Sequence, residues 1–376
     1  MMKKQNKNEF HEFESYQPLS EKPKKERGAK LAAINNWLKL HKKTVLVLVI
    51  ATAAVMGMTL AYLFSTLQYG DGFSPFSPKR VEKIYSPLTG VEVSKEDSQR
   101  PVTAVMIENS PEARPQSGLK DCGVTFEAIA EAGITRFLCL YQEAQPEIAG
   151  PVRSLRPYYI DWLAAFDPTI VHVGGSLNAL NEVRSGSYKD LDQFFNETTY
   201  WRAKDRRAPH NVYTSFEKIN AANESKDYKK SDFRSIIRKE DTPSKEPAAR
   251  TISVSISSPL FNSSYQYSPD VNSYLRSQAG KPHVDREKGQ ISVKAVVILQ
   301  TPHSTVIEDG TREAVQTIGT GKATIFQDGN ATAVTWSKKS KTDQLIFLDA
   351  SNKEVPLNRG QVWITAIPTT NEVSWQ

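Results

Sequence analysis

Apolar positions along the chain follow three successive patterns: nearly continuous over 44–65, mixed short runs and helical spacings between about 100 and 220, and recurrence every second residue from 251 onward. The first pattern covers 22 uncharged residues. At about 1.5 Å per residue this is long enough to cross a hydrocarbon core, and it predicts a transmembrane helix.

In the second pattern, residues 101–108 alternate and then run apolar, predicting a buried strand that ends in the loop Glu108-Asn109-Ser110-Pro111. Residues 122–132 place Val124, Ala128 and Ile129 at helical spacing with Gly133 as a C-cap, and so predict a helix. A strand over 134–141, a helix over 156–166, a strand over 169–173, the turn Gly174-Gly175-Ser176 and a helix from about 177 complete an α/β layer. Residues 221–250 are charged and carry Pro243 and Pro247, which marks an interdomain linker.

The third pattern predicts short strands over 251–257, 291–299, 305–308, 314–318, 322–326, 331–336, 345–348 and 361–367, with Asp328-Gly329-Asn330 as a hairpin turn. The expected class is therefore α+β overall: an N-terminal α/β domain (87–220), then a mainly β domain (251–368) built as a sandwich or small barrel and followed by a short tail (369–376), with one transmembrane helix preceding both.

Charge fixes the orientation. The chain holds 48 Lys and Arg against 42 Asp and Glu, of which residues 1–43 hold 11 and 5, leaving 37 of each in the rest. A neutral body argues against a nucleic-acid groove, and the basic tail belongs on the cytoplasmic side with everything beyond about residue 71 outside. Most of 1–43 reads as disordered, interrupted by Pro18 and Pro23. Nearer the span, Leu31, Ile34, Trp37 and Leu38 recur at helical spacing among Lys30, Lys39, Lys42 and Lys43. Either this is a basic interfacial helix held by anionic membrane lipid, or the lysines only set topology. Residues 66–86, rich in Pro, Ser and Gly, form a stalk. No cysteine lies near the span to carry a lipid anchor.

The chain lacks a Walker loop, a dinucleotide glycine fingerprint, a His-Glu-x-x-His pair and a Gly-x-Ser-x-Gly elbow, so no cofactor and no metal are expected. Candidate chemistry lies instead where strands end. In an open α/β sheet, Glu108, Asn109, His172, Gly174, Gly175 and Ser176 fall at the carboxyl ends. Arg153 and Arg156 supply forked donors for a carboxylate or phosphate, with the Gly174–Ser176 amides adding to them. The competing reading pairs these arginines with Glu108, Glu127, Glu131 or Asp161.

The run 201–211 gathers Trp201, Arg206, His210 and Asn211 at the rim of such a site, or forms a solvated surface. His172 and His210 are candidate acid–base groups with Glu108. Arg276 and His283 in the β domain either close over the first domain's site or, for His283 with Asp285, staple a loop. Cys122 and Cys139 are the only cysteines. A helix beginning at one and an antiparallel strand returning through the other permit a disulfide, the alternative being two buried thiols.

Several blocks carry a family resemblance. They are Pro87-Leu88-Thr89-Gly90, Arg100-Pro101-Val102, the stretch from Met106-Ile107-Glu108-Asn109-Ser110-Pro111 through Glu112-Ala113-Arg114-Pro115-Gln116-Ser117-Gly118-Leu119, Glu131-Ala132-Gly133-Ile134-Thr135-Arg136-Phe137, Gly150-Pro151-Val152-Arg153-Ser154-Leu155-Arg156-Pro157-Tyr158, His172-Val173-Gly174-Gly175-Ser176 and Ala208-Pro209-His210-Asn211. Further along, Tyr274, Arg276, Gly280-Lys281-Pro282-His283-Val284-Asp285 and Leu357-Asn358-Arg359-Gly360-Gln361-Val362-Trp363-Ile364 continue it.

Together these resemble the YerB-like family of bacterial envelope lipoproteins. The resemblance implies two successive domains and carries over no catalytic residues. The chain departs from the pattern in its anchor, where a transmembrane helix replaces a lipidated cysteine, and at Cys122-Gly123, where the family leads one to expect Ala-Asp. The functional expectation is a membrane-tethered extracytoplasmic protein binding an anionic cell-wall ligand. The alternatives are a hydrolase or transferase with a Glu/His acid–base pair, and a structural partner protein.

Overall fold

The structure is a computed structural model and describes residues 25–68, 83–305 and 312–376. The expected disorder of the first residues, most of the stalk and most of the strand expected over 305–308 fall outside these. The chain divides into two units, Met1–Glu82 and Lys83–Gln376.

The first unit is helical: α1 spans Lys25–Leu40 and α2 spans Lys42–Gln68. Backbone bonds from His41 N to Trp37 O and from Val45 N to His41 O carry helical bonding across the join. Residues Lys42–Ser65 are long and apolar enough to cross a membrane. The hydroxyls of Thr52 and Thr59 donate back to the Leu48 and Val55 carbonyls, at 2.9 and 3.1 Å, so both are bonded within the helix.

The body is organised by one ten-stranded sheet. Its first half contains β1 (Thr103–Glu108), β2 (Val124–Glu131), β3 (Ile134–Tyr141), β4 (Thr169–His172) and β5 (Lys189–Asp192), in spatial order β2-β3-β1-β4-β5. The other half comprises Ile346–Leu348, Asn330–Lys338, Gly319–Gln327, Ala295–Thr301 and Val362–Pro368, the last lying against β2. That join is parallel and sets Glu127 opposite Thr365. A six-stranded sheet, built mainly from Thr251–Val254, Ser263–Ser268, Ser273–Gln278 and Val373–Trp375, forms a further layer. The α+β class expected from the pattern holds, with an α/β half followed by a largely β one.

Both faces of the large sheet are buried at its centre. Along β1, Ala104 and Met106 enter a core shared with Tyr158, Tyr159 and Trp162 of the helix Pro157–Leu163. Val105 and Ile107 enter the opposite core, shared with Ile252, Tyr265 and Tyr274 of the second sheet. This explains one correction: residues 122–132 are not a helix, because Val124–Glu131 is strand β2. Val124, Phe126 and Ala128 face one core while Thr125 and Glu127 face the other side, an alternation that lapses at Ile129 and Ala130, where the register with β3 shifts. The four-residue spacing of Val124 and Ala128 suits a strand face as well as a helix face.

The disulfide permitted by the helical reading is also absent. Cys122 and Cys139 are buried free thiols, and Cys122 Sγ donates to Val124 O at 3.0 Å. Burial pushes the Cys139 thiol well above its ordinary range. The turn at Asp328 and Gly329, with φ of 57° and 77°, joins Gly319–Gln327 to Asn330–Lys338 as a primed hairpin turn requires. Within 221–250, Arg238 donates to Asn358 O at 2.9 Å, to Gly360 O at 3.1 Å and to Leu88 O, and burial pushes its pKa down to about 10.

Candidate functional site

The carboxyl end of β1 is where the polar residues gather. The strand delivers Glu108 to a buried position, pinned by a bond from Glu108 N to Pro151 O. Glu108 Oε1 accepts from Ser110 Oγ at 3.1 Å and from His210 Nδ1 at 2.9 Å. Arg153 Nε lies 3.3 Å from the same oxygen, an ion pair whose N–H is not aligned for a hydrogen bond. Glu108 Oε2 is buried without a partner. With Nδ1–H given to Glu108, His210 keeps Nε2 free, and its ring lines a cleft of about 640 Å³.

The cleft wall is basic: Arg114, Arg206, Arg207 and Arg286 stand against Glu112 and Asp205. Arg286 Nη2 donates to Asp205 Oδ2 at 2.6 Å, and that bond holds the Asp205 carboxyl below its usual range. Arg206 reaches across to Glu112 O at 3.0 Å, and Arg114 Nη2 donates to Asn109 O at 2.9 Å. The Arg207 side chain is exposed and has no polar partner among the described residues. Asn211 knits the loop beneath, accepting from Arg202 at 2.8 Å and donating to Ala203 O at 3.1 Å.

One residue further along, Asn109 enters a different arrangement. Its Nδ2 donates to Thr135 Oγ1 at 2.7 Å, and Thr135 Oγ1 donates to Glu127 Oε1 at 3.1 Å. Glu127 Oε2 accepts from Arg276 Nη2 at 2.8 Å, and Arg276 Nη1 donates to His283 Nδ1. His283 Nε2 meets Gln116 Oε1 at 3.1 Å, and Gln116 Nε2 returns to Asn109 Oδ1 at 2.9 Å.

The circuit closes on itself, and every side chain in it is buried. Arg276 can only donate, so His283 is neutral with its proton on Nε2. Burial, then the charges of Arg276 and Arg114, hold the His283 pKa well below its ordinary value. Burial works against the Arg276 charge, and Glu127 and Tyr265 together more than offset it, so its pKa is raised. The guanidinium sits 4.4 Å from the Trp363 ring centroid.

The two arginines of the 150–157 stretch do not converge. The segment is nearly extended where it bridges Ile107 through Val152 and Gly175 through Leu155, so residues three apart leave on opposite faces. Arg153 pairs with Glu108, and Arg156 pairs with Glu131, which Arg136 also holds at 3.0 Å. Although burial opposes it, the charges of Arg136 and Arg156 keep the Glu131 carboxyl below its usual range.

His172 is fully buried, its ring nitrogens taken up by Gly174 O and Asp190 Oδ1, both at 2.8 Å. The amide of Gly174 donates to Asp192 Oδ1 at 2.9 Å and that of Ser176 to Leu155 O at 3.2 Å, so these two donors are occupied. Ser176 and Arg156 line a second cavity instead.

Among the expected site residues, then, Glu108, Arg114, Arg153, Arg206, His210 and Asn211 gather at the cleft. Asn109, Arg276 and His283 belong to the circuit beside it, and His172, Gly174, Gly175, Ser176 and Arg156 lie apart. Sequence reasoning missed Gln116, Thr135, Arg286 and the central place of Glu127. The available signal was a lone carboxylate inside the apolar run of β2.

Two adjoining family models match the chain. Residues 88–229 match the N-terminal domain, and residues 252–364 the C-terminal domain, of a family described as a protein of unknown function, DUF3048. The chain is 33% identical over 304 residues to a Bacillus subtilis (strain 168) protein described as a candidate lipoprotein, YerB, a match spanning 79% of this chain and 90% of that one. It is also similar to the crystal structure of the YerB protein from Bacillus subtilis. There the identity is 30% and the TM-score 0.71, covering 78% of this chain and 100% of that one.

Proposed function

The chain belongs to the two-domain YerB-like family, and from that premise and the arginine-lined cleft we propose that it is a membrane-anchored protein of the bacterial envelope that binds an anionic ligand. In this reading α2 crosses the membrane once, the basic N-terminal tail stays in the cytoplasm and the body lies outside. A spanning helix then does the work that lipidation does in a lipoprotein.

The observation that carries the binding reading is the cleft itself: four arginines and His210 line it with only two carboxylates, one of them already paired to Arg286. Arginine forks match the oxygens of phosphate or carboxylate, and anions in such a cleft gain charge-assisted bonds of roughly 1.5–3 kcal/mol each.

The test is thermal unfolding of the full chain in micelles with inorganic phosphate or poly(glycerol phosphate). At about 100 times its dissociation constant an anion adds about 2.7 kcal/mol of stability. The gain is expected to vanish in Arg207→Ala combined with Arg286→Ala. No gain with either anion removes this reading. The topology is checked separately by protease accessibility of the body in intact cells.

One observation favours a second reading, an acid–base enzyme. Glu108 bonds His210 through Nδ1 and leaves Nε2 unbonded on a residue that lines the cleft, a pairing suited to a general base positioned by a carboxylate. Turnover of a phosphate ester by the full chain, abolished in His210→Gln while phosphate still binds, would select it.

A further inference from the structure

Three segments far apart in the chain meet at Asp328, the first residue of the hairpin turn. The short strands Arg238–Lys239 and Leu357–Asn358 pair in parallel, with Lys239 directly opposite Asn358. Both side chains end on the same carboxylate: Lys239 Nζ donates to Asp328 Oδ2 at 2.5 Å, and Asn358 Nδ2 donates to Asp328 Oδ1 at 2.7 Å. Neighbouring strands lie about 4.8 Å apart, a gap that the four-carbon stem of a lysine spans. An amine, a carboxamide and a carboxyl group bridging them are the nucleophile, acceptor and proton carrier that amide exchange needs.

The cluster is sheltered. Asn358 is fully buried and Asp328 is 5% exposed, while Lys239 enters from a partly exposed side. The Asn358 amide is held at Nδ2, and its buried Oδ1 has no partner to keep its Cγ from turning toward Nζ. Asp328 is fixed by further bonds: Asn272 Nδ2 donates to Oδ1 at 2.8 Å, and Thr242 donates through its amide at 3.1 Å and through its hydroxyl at 2.9 Å.

We propose that Lys239 and Asn358 join through an isopeptide bond, a modification the chain makes on itself with Asp328 as proton carrier. The resting cluster is an ion pair. Burial works against the Asp328 charge, and bonds from Lys239, Asn272, Asn358 and Thr242 hold its carboxyl well below the usual range. Reaction therefore waits on passage of a proton from Nζ to Oδ2, which makes it a slow step that follows folding. The freed lone pair of Nζ then bonds Asn358 Cγ, and the Cγ–Nδ2 bond breaks. Nδ2 takes the two protons that Nζ gives up, one of them by way of Asp328, and leaves as ammonium. Asp328 ends ionised as it began, and nothing is oxidised or reduced. The link ties the segment 221–250 to the far end of the body, and it rests on no ligand in the arginine cleft.

The experiment is intact-mass spectrometry with tryptic peptide mapping of the full chain in micelles, freshly purified and after prolonged storage at neutral pH. The stored chain is expected to be lighter than its sequence by one ammonia and to yield a branched peptide joining Lys239 to Asn358. Lys239→Arg, which keeps a cation for Asp328 and lacks the amine nucleophile, is expected to yield only separate peptides. Asp328→Asn, shown folded by circular dichroism, is expected to stay unlinked, and a branched peptide in it removes Asp328 as the carrier. Separate, unmodified peptides for 239 and 358 in the stored parent overturn the proposal. So does loss of ammonia without the branched peptide, which places the loss at another amide, and so does a link between Lys239 and Asp328 formed with loss of water.

Discussion

Two polar assemblies begin at neighbouring residues of β1 and end differently. Asn109 leads into a closed circuit with Thr135, Glu127, Arg276, His283 and Gln116, in which each link has a donor and an acceptor and all members are buried. Glu108 leads into an open cluster with Ser110, Arg153 and His210, in which Glu108 Oε2 and Arg153 Nε lack hydrogen-bond partners and His210 lines the cleft. Satisfied polar networks fix one structure, whereas unsatisfied groups beside solvent keep capacity for a ligand. The same kinds of side chain thus serve two ends, and completeness of bonding separates them better than residue type.

The sharpest way to break this contrast is at Arg276. Replacing it with Ala strands the buried Glu127 carboxylate and is expected to cost about 3–5 kcal/mol, read as a large fall in the melting temperature of the full chain in micelles. The paired change Arg276→Met with Glu127→Leu is expected to recover most of that loss, since neither charge remains to be stranded. A single variant melting like the parent would show that the circuit does not hold the fold.

A smaller effect is expected from pH. His283 is held neutral in the folded body, with a pKa well below that of the unfolded chain, so its contribution is complete above about pH 6.5 and is lost as pH falls below it. The expected slope from this one group is at most about 1.4 kcal/mol per pH unit. His283→Gln should flatten the difference in melting temperature between pH 7 and pH 5 relative to the parent. An unchanged slope would mean that other groups govern acid stability.

The smallest effect on stability is expected in the open cluster. Glu108→Gln removes a carboxylate, one oxygen of which bonds nothing, and should shift stability by no more than about 1 kcal/mol. Under the anion-binding reading it should also tighten phosphate binding, by about threefold, because a negative charge beside His210 and Arg153 is gone. Weaker binding would place Glu108 among groups that organise the cleft rather than oppose its ligand.

Much of the scaffold was legible in the pattern. β1, β3 and β4 stand where short apolar runs end in loops, and Asp328-Gly329 turns the hairpin it was expected to turn. β2 was misread because Val124, Ala128 and Ile129 also fit a helical spacing, and its alternation over 124–128 lapses at Ile129 and Ala130, where the register shifts. At the candidate site, residues of the segments 106–119, 150–158 and 208–211 meet around Glu108, and the competing reading of the arginines named two partners that the structure shows, Glu108 for Arg153 and Glu131 for Arg156.

What local spacing does not carry is the bonding between distant segments. Gln116 meets His283 across 167 residues, and Arg276 meets Glu127 across 149. Such pairs are fixed only when the two sheets stack.

The strand Val362–Pro368 lies parallel between β2 and Ala295–Thr301, so it supplies the seam between the two halves of the sheet. A ribosome makes that strand after every other strand of the large sheet. Until it emerges, the edge of β2 stays open, with Glu127 still lacking Trp363 and Thr365. The large sheet therefore closes last at its middle, and a copy cut short before residue 362 keeps an unpaired strand edge there, a template for pairing with other chains.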